Sequence, residues 1–167
     1  ERTIPIFKIL FWFDGLNPIS NIGPAVRIRI FKDVANAMDY AHSQGVVHLD
    51  LKPENILIDQ EGRVYICDWG LAKVLPGYET VDGMMLSGSQ SGAFFKGSPG
   101  FMAPEQVSKQ EKGIQTDIYQ LGAILYAIIF FKPPIEGDNV NEVLEKTVLG
   151  NIDLPDQDNS ILLRIMK

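Results

Sequence analysis

Val46-Val47-His48-Leu49-Asp50-Leu51-Lys52-Pro53-Glu54-Asn55-Ile56-Leu57-Ile58 sets ionisable and amide side chains between two short β-branched runs. Runs of that kind fit a pleated, covered surface, so Val46-Val47 and Ile56-Leu57-Ile58 read as strand segments and the residues between them as a loop on rigid flanks. Such a loop is a good mount for chemistry. Asp50 offers a carboxylate for proton abstraction, Lys52 an ammonium for an anion, and Asn55 an amide oxygen for a hard cation. Taken alone, the same Asp-Leu-Lys reads as a solvated loop whose charges face water, and its surroundings have to decide.

Working outward, Ile56-Leu57-Ile58, the polar turn Asp59-Gln60-Glu61-Gly62 and Val64-Tyr65-Ile66 make a β-hairpin. It holds Asn55 at the start of one strand and Asp68 just past the end of the other, so two oxygen ligands converge on one side, an arrangement that suits Mg²⁺. Upstream, over residues 25–43, Ile30, Val34, Ala37, Met38 and Ala41 recur at helical spacing with Arg29, Lys32, Asp33, Asn36 and Asp39 mostly between them, and Gly45 supplies a stop. His42 reads as a structural residue at the end of that helix, where a cation is favoured, rather than as a ligand. Residues 1–13 are apolar but uneven and predict a short helix broken by Asp14-Gly15, followed by a connecting loop.

Downstream, residues 71–102 are rich in glycine and serine and cannot bury enough apolar area to fix themselves. Over residues 115–130, Ile118, Leu121, Ile124, Leu125, Ile128 and Ile129 keep a helical period while other apolar residues fill the remaining face, which predicts a helix buried nearly all round. Asp117 at its start is costly there unless hydrogen-bonded. Lys132-Pro133-Pro134 ends it. Residues 140–149 predict an amphipathic helix with Val143, Leu144, Thr147 and Val148 on one face, and residues 160–167 begin another.

The bulk composition narrows the partners. With 167 residues and 46% apolar content the chain can bury one sizeable core. A net charge of −6 argues against a nucleic-acid or anionic-membrane surface as the main partner. Cys67 is the only cysteine, so no intrachain disulfide or thiolate cluster forms, and a reducing, cytoplasmic location is expected. No secretory signal is visible at the N-terminus, and the most apolar run, residues 121–131, is far short of the roughly 20 residues that span a bilayer.

His48-x-Asp50-Leu51-x-x-x-Asn55, then Asp68-Trp69-Gly70, then Ala103-Pro104-Glu105 stand in the order and context of three kinase motifs. On those residues the chain resembles the protein kinase superfamily, in particular the bacterial eukaryotic-like serine/threonine kinases. The resemblance implies an α+β, mainly α-helical fold: a kinase-like C-lobe with a small β-hairpin at the catalytic loop. No glycine-rich phosphate loop, Val-Ala-x-Lys strand or following helix with its Glu is visible, so residues 1–167 read as a partial kinase domain whose N-lobe is absent. Its parts are a catalytic loop at 48–55, an activation segment at 68–105 and a buried helix at about 115–130.

The roles carried over are implied by that resemblance alone. Asp50 orients the acceptor hydroxyl and takes its proton, and Lys52 neutralises the transferring phosphoryl group. Asn55 and Asp68 ligate Mg²⁺, and Leu57 joins them in binding the cofactor, ATP. Ser98 and Gly100 belong to the platform for the substrate, with Ser98 able to bridge Asp50 and Lys52. His48, Trp69, Gly70, Glu105 and Asp117 are structural, Asp117 tying the buried helix to the catalytic-loop backbone. The expected partners are protein substrates with Ser/Thr acceptors and an N-lobe in cis, with no nucleic acid and no membrane segment.

Two departures stand out. Leu49 replaces the Arg that pairs with an activation-segment phosphate, so phosphorylation of Thr80, Ser87, Ser89 or Ser91 lacks its usual partner. Trp69 replaces Phe and adds an N–H donor. Glu105 is expected to lack the Arg that commonly pairs with it, and Cys67 reads as a buried, unreactive cysteine. The chain alone is expected to be inactive. The alternatives are a kinase-like, non-catalytic interaction module and a small-molecule phosphotransferase of related fold, the latter disfavoured by the peptide platform at residues 97–105.

Overall fold

Helix α1 (Pro24–Ser43) begins with proline in its first turn, where the missing N–H costs no intrahelical bond, and buries Ile30, Val34 and Met38 at successive turns. It stops at Gly45, whose φ of +72° suits glycine and where any side chain would run into the Tyr78 ring. The computed structural model describes residues 4–5, 23–78 and 98–152. Those residues form an α+β fold, chiefly helical with a few short strands.

The strands make two small antiparallel sheets. In the first, β1 (Ile4–Pro5), β3 (Ile56–Ile58) and β4 (Val64–Ile66) lie in the order β1-β3-β4, with Ile4 opposite Ile58, Leu57 opposite both Pro5 and Tyr65, and Ile56 opposite Ile66. In the second, β2 (Val46–Val47) pairs with β5 (Lys73–Val74). The β3–β4 turn is closed by Asp59, whose Oδ1 accepts from Glu61 N at 3.0 Å and Arg63 N at 2.8 Å, while Gly62 adopts φ +81°.

Three further helices follow: the short α2 (Pro104–Val107), α3 (Ile114–Phe130) and α4 (Val140–Leu149). The main core joins Ile30, Val34 and Met38 of α1 to Leu51, to Ile56 and Ile58 of β3, and to Ile124 and Ile128 of α3. Each of these side chains contributes on the order of 2 kcal/mol by leaving water. Leu51 lies within the loop and Ile56 just after it, so the core holds the loop at its middle and at its exit into β3.

Three expectations need correction. Ile4–Pro5 is a strand against β3, not part of a helix over residues 1–13: cross-strand pairing offers its backbone bonds that local propensity does not register. Helix α3 is not apolar-packed all round, because Gln115, Ile118 and Gly122 share a stripe where Ile118 is 56% exposed and a methyl on Gly122 would meet open space. On α4, Val143, Leu144 and Thr147 are buried but Val148 is half exposed, one residue round from the contact face. The remainder of the 1–13 segment, the loop at 17–22, Thr80, Ser87, Ser89, Ser91, Gly97 and the helix expected at 160–167 lie outside the described residues.

Candidate active site

Past β2 the backbone leaves its sheet, and its buried peptide groups must find side-chain partners. Asp117 of α3, fully buried, supplies two: its Oδ2 accepts from His48 N and its Oδ1 from Leu49 N, both at 2.8 Å. Leu49 sits in the left-handed region at φ +65°, a conformation costing roughly 1–2 kcal/mol for a residue with a side chain. Gln106 Nε2 donates to its carbonyl at 2.8 Å, and Leu51 N donates to Gln120 Oε1 at 3.0 Å.

His48 is also fully buried, and its two ring nitrogens have distinct tasks. Nδ1 accepts from Asp50 N at 3.2 Å and Nε2 donates to the Cys67 carbonyl at 3.1 Å, which fits only the neutral Nε2–H tautomer. Burial holds the imidazole below its ordinary pKa, outweighing the Cys67 bond and the charges of Asp117, Asp50 and Asp68, in agreement with that neutral form. Trp69 lies against it with ring centroids 4.5 Å apart and donates its Nε1–H to Ile66 O at 3.0 Å.

Asp50 is mostly buried, and its Oδ2 lies 3.1 Å from Lys52 Nζ. Asn55, in the 3₁₀ turn Pro53–Asn55, donates Nδ2 to Asp50 O at 2.8 Å and more weakly to Asp50 Oδ2 at 3.3 Å. Asn55 O in turn accepts from Cys67 N at 2.9 Å and Cys67 Sγ at 3.2 Å, which brings the start of the Asp68-Trp69-Gly70 turn beside Asn55. Asp68 takes φ +61°, and a Cβ on Gly70 would come within 3.2 Å of its Oδ1, so glycine keeps room around that carboxylate. Burial, with the Asp68 charge, pushes the Cys67 thiol pKa up, away from thiolate chemistry. Among the described residues no group of three or more His, Cys, Asp or Glu side chains is placed to hold a metal.

Residues 12–161 match the protein kinase domain family. The chain belongs to the protein kinase superfamily. It is similar to the serine/threonine-protein kinase PknD of Protochlamydia amoebophila, 42% identical over 123 residues, which cover 69% of this chain and 12% of that protein. Protein kinase 2 of Dictyostelium discoideum is 35% identical over 130 residues, 77% of this chain and 25% of its own length. The SNF1-related protein kinase catalytic subunit alpha KIN12 of Arabidopsis thaliana is 36% identical over 126 residues, covering 75% and 23%. The chain thus spans a quarter or less of the length of these relatives.

Ser98 precedes the 3₁₀ turn Pro99–Phe101. Among the described residues its hydroxyl is bonded to neither Asp50 nor Lys52, and the Lys52 ammonium lies directly on Asp50. A Cβ on Gly100 would lie 2.8 Å from Pro133 Cβ and 3.0 Å from Ile135 O. Glu105 is not without a partner: its Oε1 accepts from the Thr116 hydroxyl at 2.7 Å, because the start of α3 runs past α2. Leu57, half-buried on β3, stands between Pro5 and Tyr65.

Two residues bonded to this loop, Gln106 and Gln120, escaped the sequence reading, and His42, read as structural, has a partner the sequence did not name. His42, in the last turn of α1, donates Nε2 to Asp117 Oδ2 at 2.8 Å and so ties the helix end to a buried carboxylate. Gln106 and Gln120 are buried and bonded to the backbone of Leu49 and Leu51. Gln120 carried a legible signal: a polar side chain three residues after Asp117 in the same apolar helix needs a partner for the same reason.

Proposed function

We propose that the protein is a serine/threonine kinase that transfers the γ-phosphoryl group of ATP to Ser/Thr hydroxyls of protein substrates, and that this chain supplies the large lobe. The observation that carries the reading is the Asp50 carboxylate, bonded by Lys52 and Asn55 while the Cys67–Asn55 bonds bring Asp68 alongside. Residues 48–55 are the catalytic loop, 68–105 the activation segment, and the α3 helix the buried scaffold. Asp50 orients the acceptor hydroxyl and takes its proton. Lys52, already against that carboxylate, faces the phosphoryl group as charge develops on it, and phosphoryl transfer asks mainly for such positioning.

The donor set fits Mg²⁺. Asn55 spends its N–H₂ on Asp50, which leaves Oδ1 as the coordinating atom, and Gly70 leaves the Asp68 carboxylate uncrowded. Two hard oxygens suit an ion that fills its remaining positions with phosphate and water. When bound with the nucleotide, Mg²⁺ supplies charge neutralisation at the phosphates. Leu57 lines the nucleotide side, and Ser98 and Gly100 serve the substrate platform.

The rest of the nucleotide site belongs to an N-lobe in cis. Without it, electrostatic stabilisation at Asp50 and Lys52 weakens in high dielectric, so the 167-residue chain alone has negligible activity. The test uses the full-length kinase: ATP-dependent phosphorylation of a Ser/Thr peptide, lost in Asp50→Asn with ATP binding retained, supports the reading. No transfer by the unmutated full-length protein overturns it and favours a non-catalytic interaction module.

A further inference from the structure

The two buried glutamines form a closed circuit around Asp50. Leu51 N donates to Gln120 Oε1 at 3.0 Å, Gln120 Nε2 donates to Gln106 Oε1 at 3.0 Å, and Gln106 Nε2 donates to Leu49 O at 2.8 Å. The circuit therefore ends on the residues immediately before and after Asp50. Gln106 Oε1 also accepts from Ala103 N at 2.9 Å, which joins the circuit to the substrate platform. Each amide has one workable orientation, since a flip would set N–H against N–H and oxygen against oxygen. Gln106 is 7% and Gln120 2% exposed, so water does not compete for these bonds.

We propose that Gln106 and Gln120 are positioning residues that fix the peptide platform to the catalytic loop, a tie otherwise made through an arginine at position 49 and a phosphate. The inference rests on the kinase reading above. Asp117 holds the N–H groups of His48 and Leu49, but none of its bonds reaches the platform; the glutamines join both. Leu49 has no charge to offer, and its left-handed backbone is held from both sides, by Asp117 on its N–H and Gln106 on its carbonyl. A shift of Ala103 is thereby transmitted to the peptide groups flanking Asp50. The consequence falls on the geometry between the acceptor hydroxyl and the Asp50 carboxylate, and not on the nucleotide.

The test replaces each glutamine in the full-length kinase by methionine, which keeps the volume and removes the bonds, and combines the two. Each single variant is expected to lower kcat for a Ser/Thr peptide by about tenfold with KM for ATP within about twofold. The double variant is expected to lose about as much as either single, because both break one circuit. Gln106→Leu, which removes the same bonds with a branched side chain of similar size, is the second variant should methionine prevent folding, with the same kcat loss expected. Unchanged kcat, losses that multiply, or KM for ATP rising in step with the loss of kcat would overturn the proposal. Amide hydrogen exchange over residues 48–55 separates it from the kinase reading. An inactive unmutated enzyme counts against that reading, whereas exchange equally slow in unmutated and Gln106→Met protein counts against the circuit.

Discussion

His42 Nε2 and Asp117 Oδ2 lie 2.8 Å apart across α1 and α3, and the same carboxylate also accepts from the backbone N–H groups of His48 and Leu49. Asp117 has no solvent exposure, so the three donors have no water to fall back on. Asp117→Ala is expected to destabilise the protein by about 3 to 5 kcal/mol, the cost of leaving three donors, two of them buried backbone N–H groups, without their acceptor. Urea unfolding of the two proteins measures it, and a loss under 1 kcal/mol, roughly one ordinary hydrogen bond, would contradict the account.

Asp59 gives the hairpin a pH dependence. Burial works to raise its pKa, but bonds from Arg63 backbone and side chain, Tyr65 and the Arg63 charge together pull it from 3.8 down to about 2. A carboxylate depressed in the folded state stabilises above its unfolded pKa and loses that contribution as pH falls through the folded value. Compared with Asp59→Asn, the native protein should be more stable above pH 4, with the gap closing between about pH 4 and pH 2. Chemical denaturation of both proteins across that range checks it; a gap independent of pH would show that the carboxylate charge is not what matters.

What could be read in the sequence was whatever is local. Alternation and turn residues give the β3–β4 hairpin, a 3.6-residue period gives α1, and three short motifs give the kinase family. Asn55 and the Asp68 turn were legible for the same reason, since one hairpin brings them together. The Ile4–Pro5 strand was not, because its partner lies some fifty residues on, across a stretch with no alternating pattern to announce it. Nor was the Gln106–Gln120 pairing: Gln120 in an apolar helix signals the need of a partner, but only the close approach of α2, α3 and residues 49–51 shows which one. Glu105, expected to lack an arginine, takes the Thr116 hydroxyl instead, a partner that only the approach of α2 and α3 supplies.

Gly100 is small because the segment after α3 crosses it. A methyl there would press on Pro133 Cβ at 2.8 Å and on the Ile135 carbonyl at 3.0 Å, and neither a proline ring nor a backbone oxygen yields easily. Gly100→Ala is expected to cost about 1 to 3 kcal/mol as an overpacked contact. Because the displaced turn, Pro99–Phe101, belongs to the proposed platform, KM for a protein substrate should rise while KM for ATP stays put. Thermal denaturation and steady-state kinetics test the two parts separately, and a thermally unaltered variant would show that the turn has slack.

Leu49 bears on regulation. An activation-segment phosphate is useful when it meets a guanidinium beside the catalytic aspartate. Here that position is an aliphatic side chain only 6% exposed, and its backbone is held by Asp117 and Gln106. Phosphatase treatment of the full-length kinase should therefore leave peptide turnover within about twofold of the untreated enzyme. Loss of turnover on dephosphorylation, restored by rephosphorylation, would mean that a cation elsewhere receives the phosphate. Leu49→Arg is not expected to create the missing response, because a guanidinium placed in a site this enclosed must first leave water. Its charge then lacks a partner until a phosphate arrives, so the variant should unfold at lower urea concentration before it gains any dependence on phosphorylation.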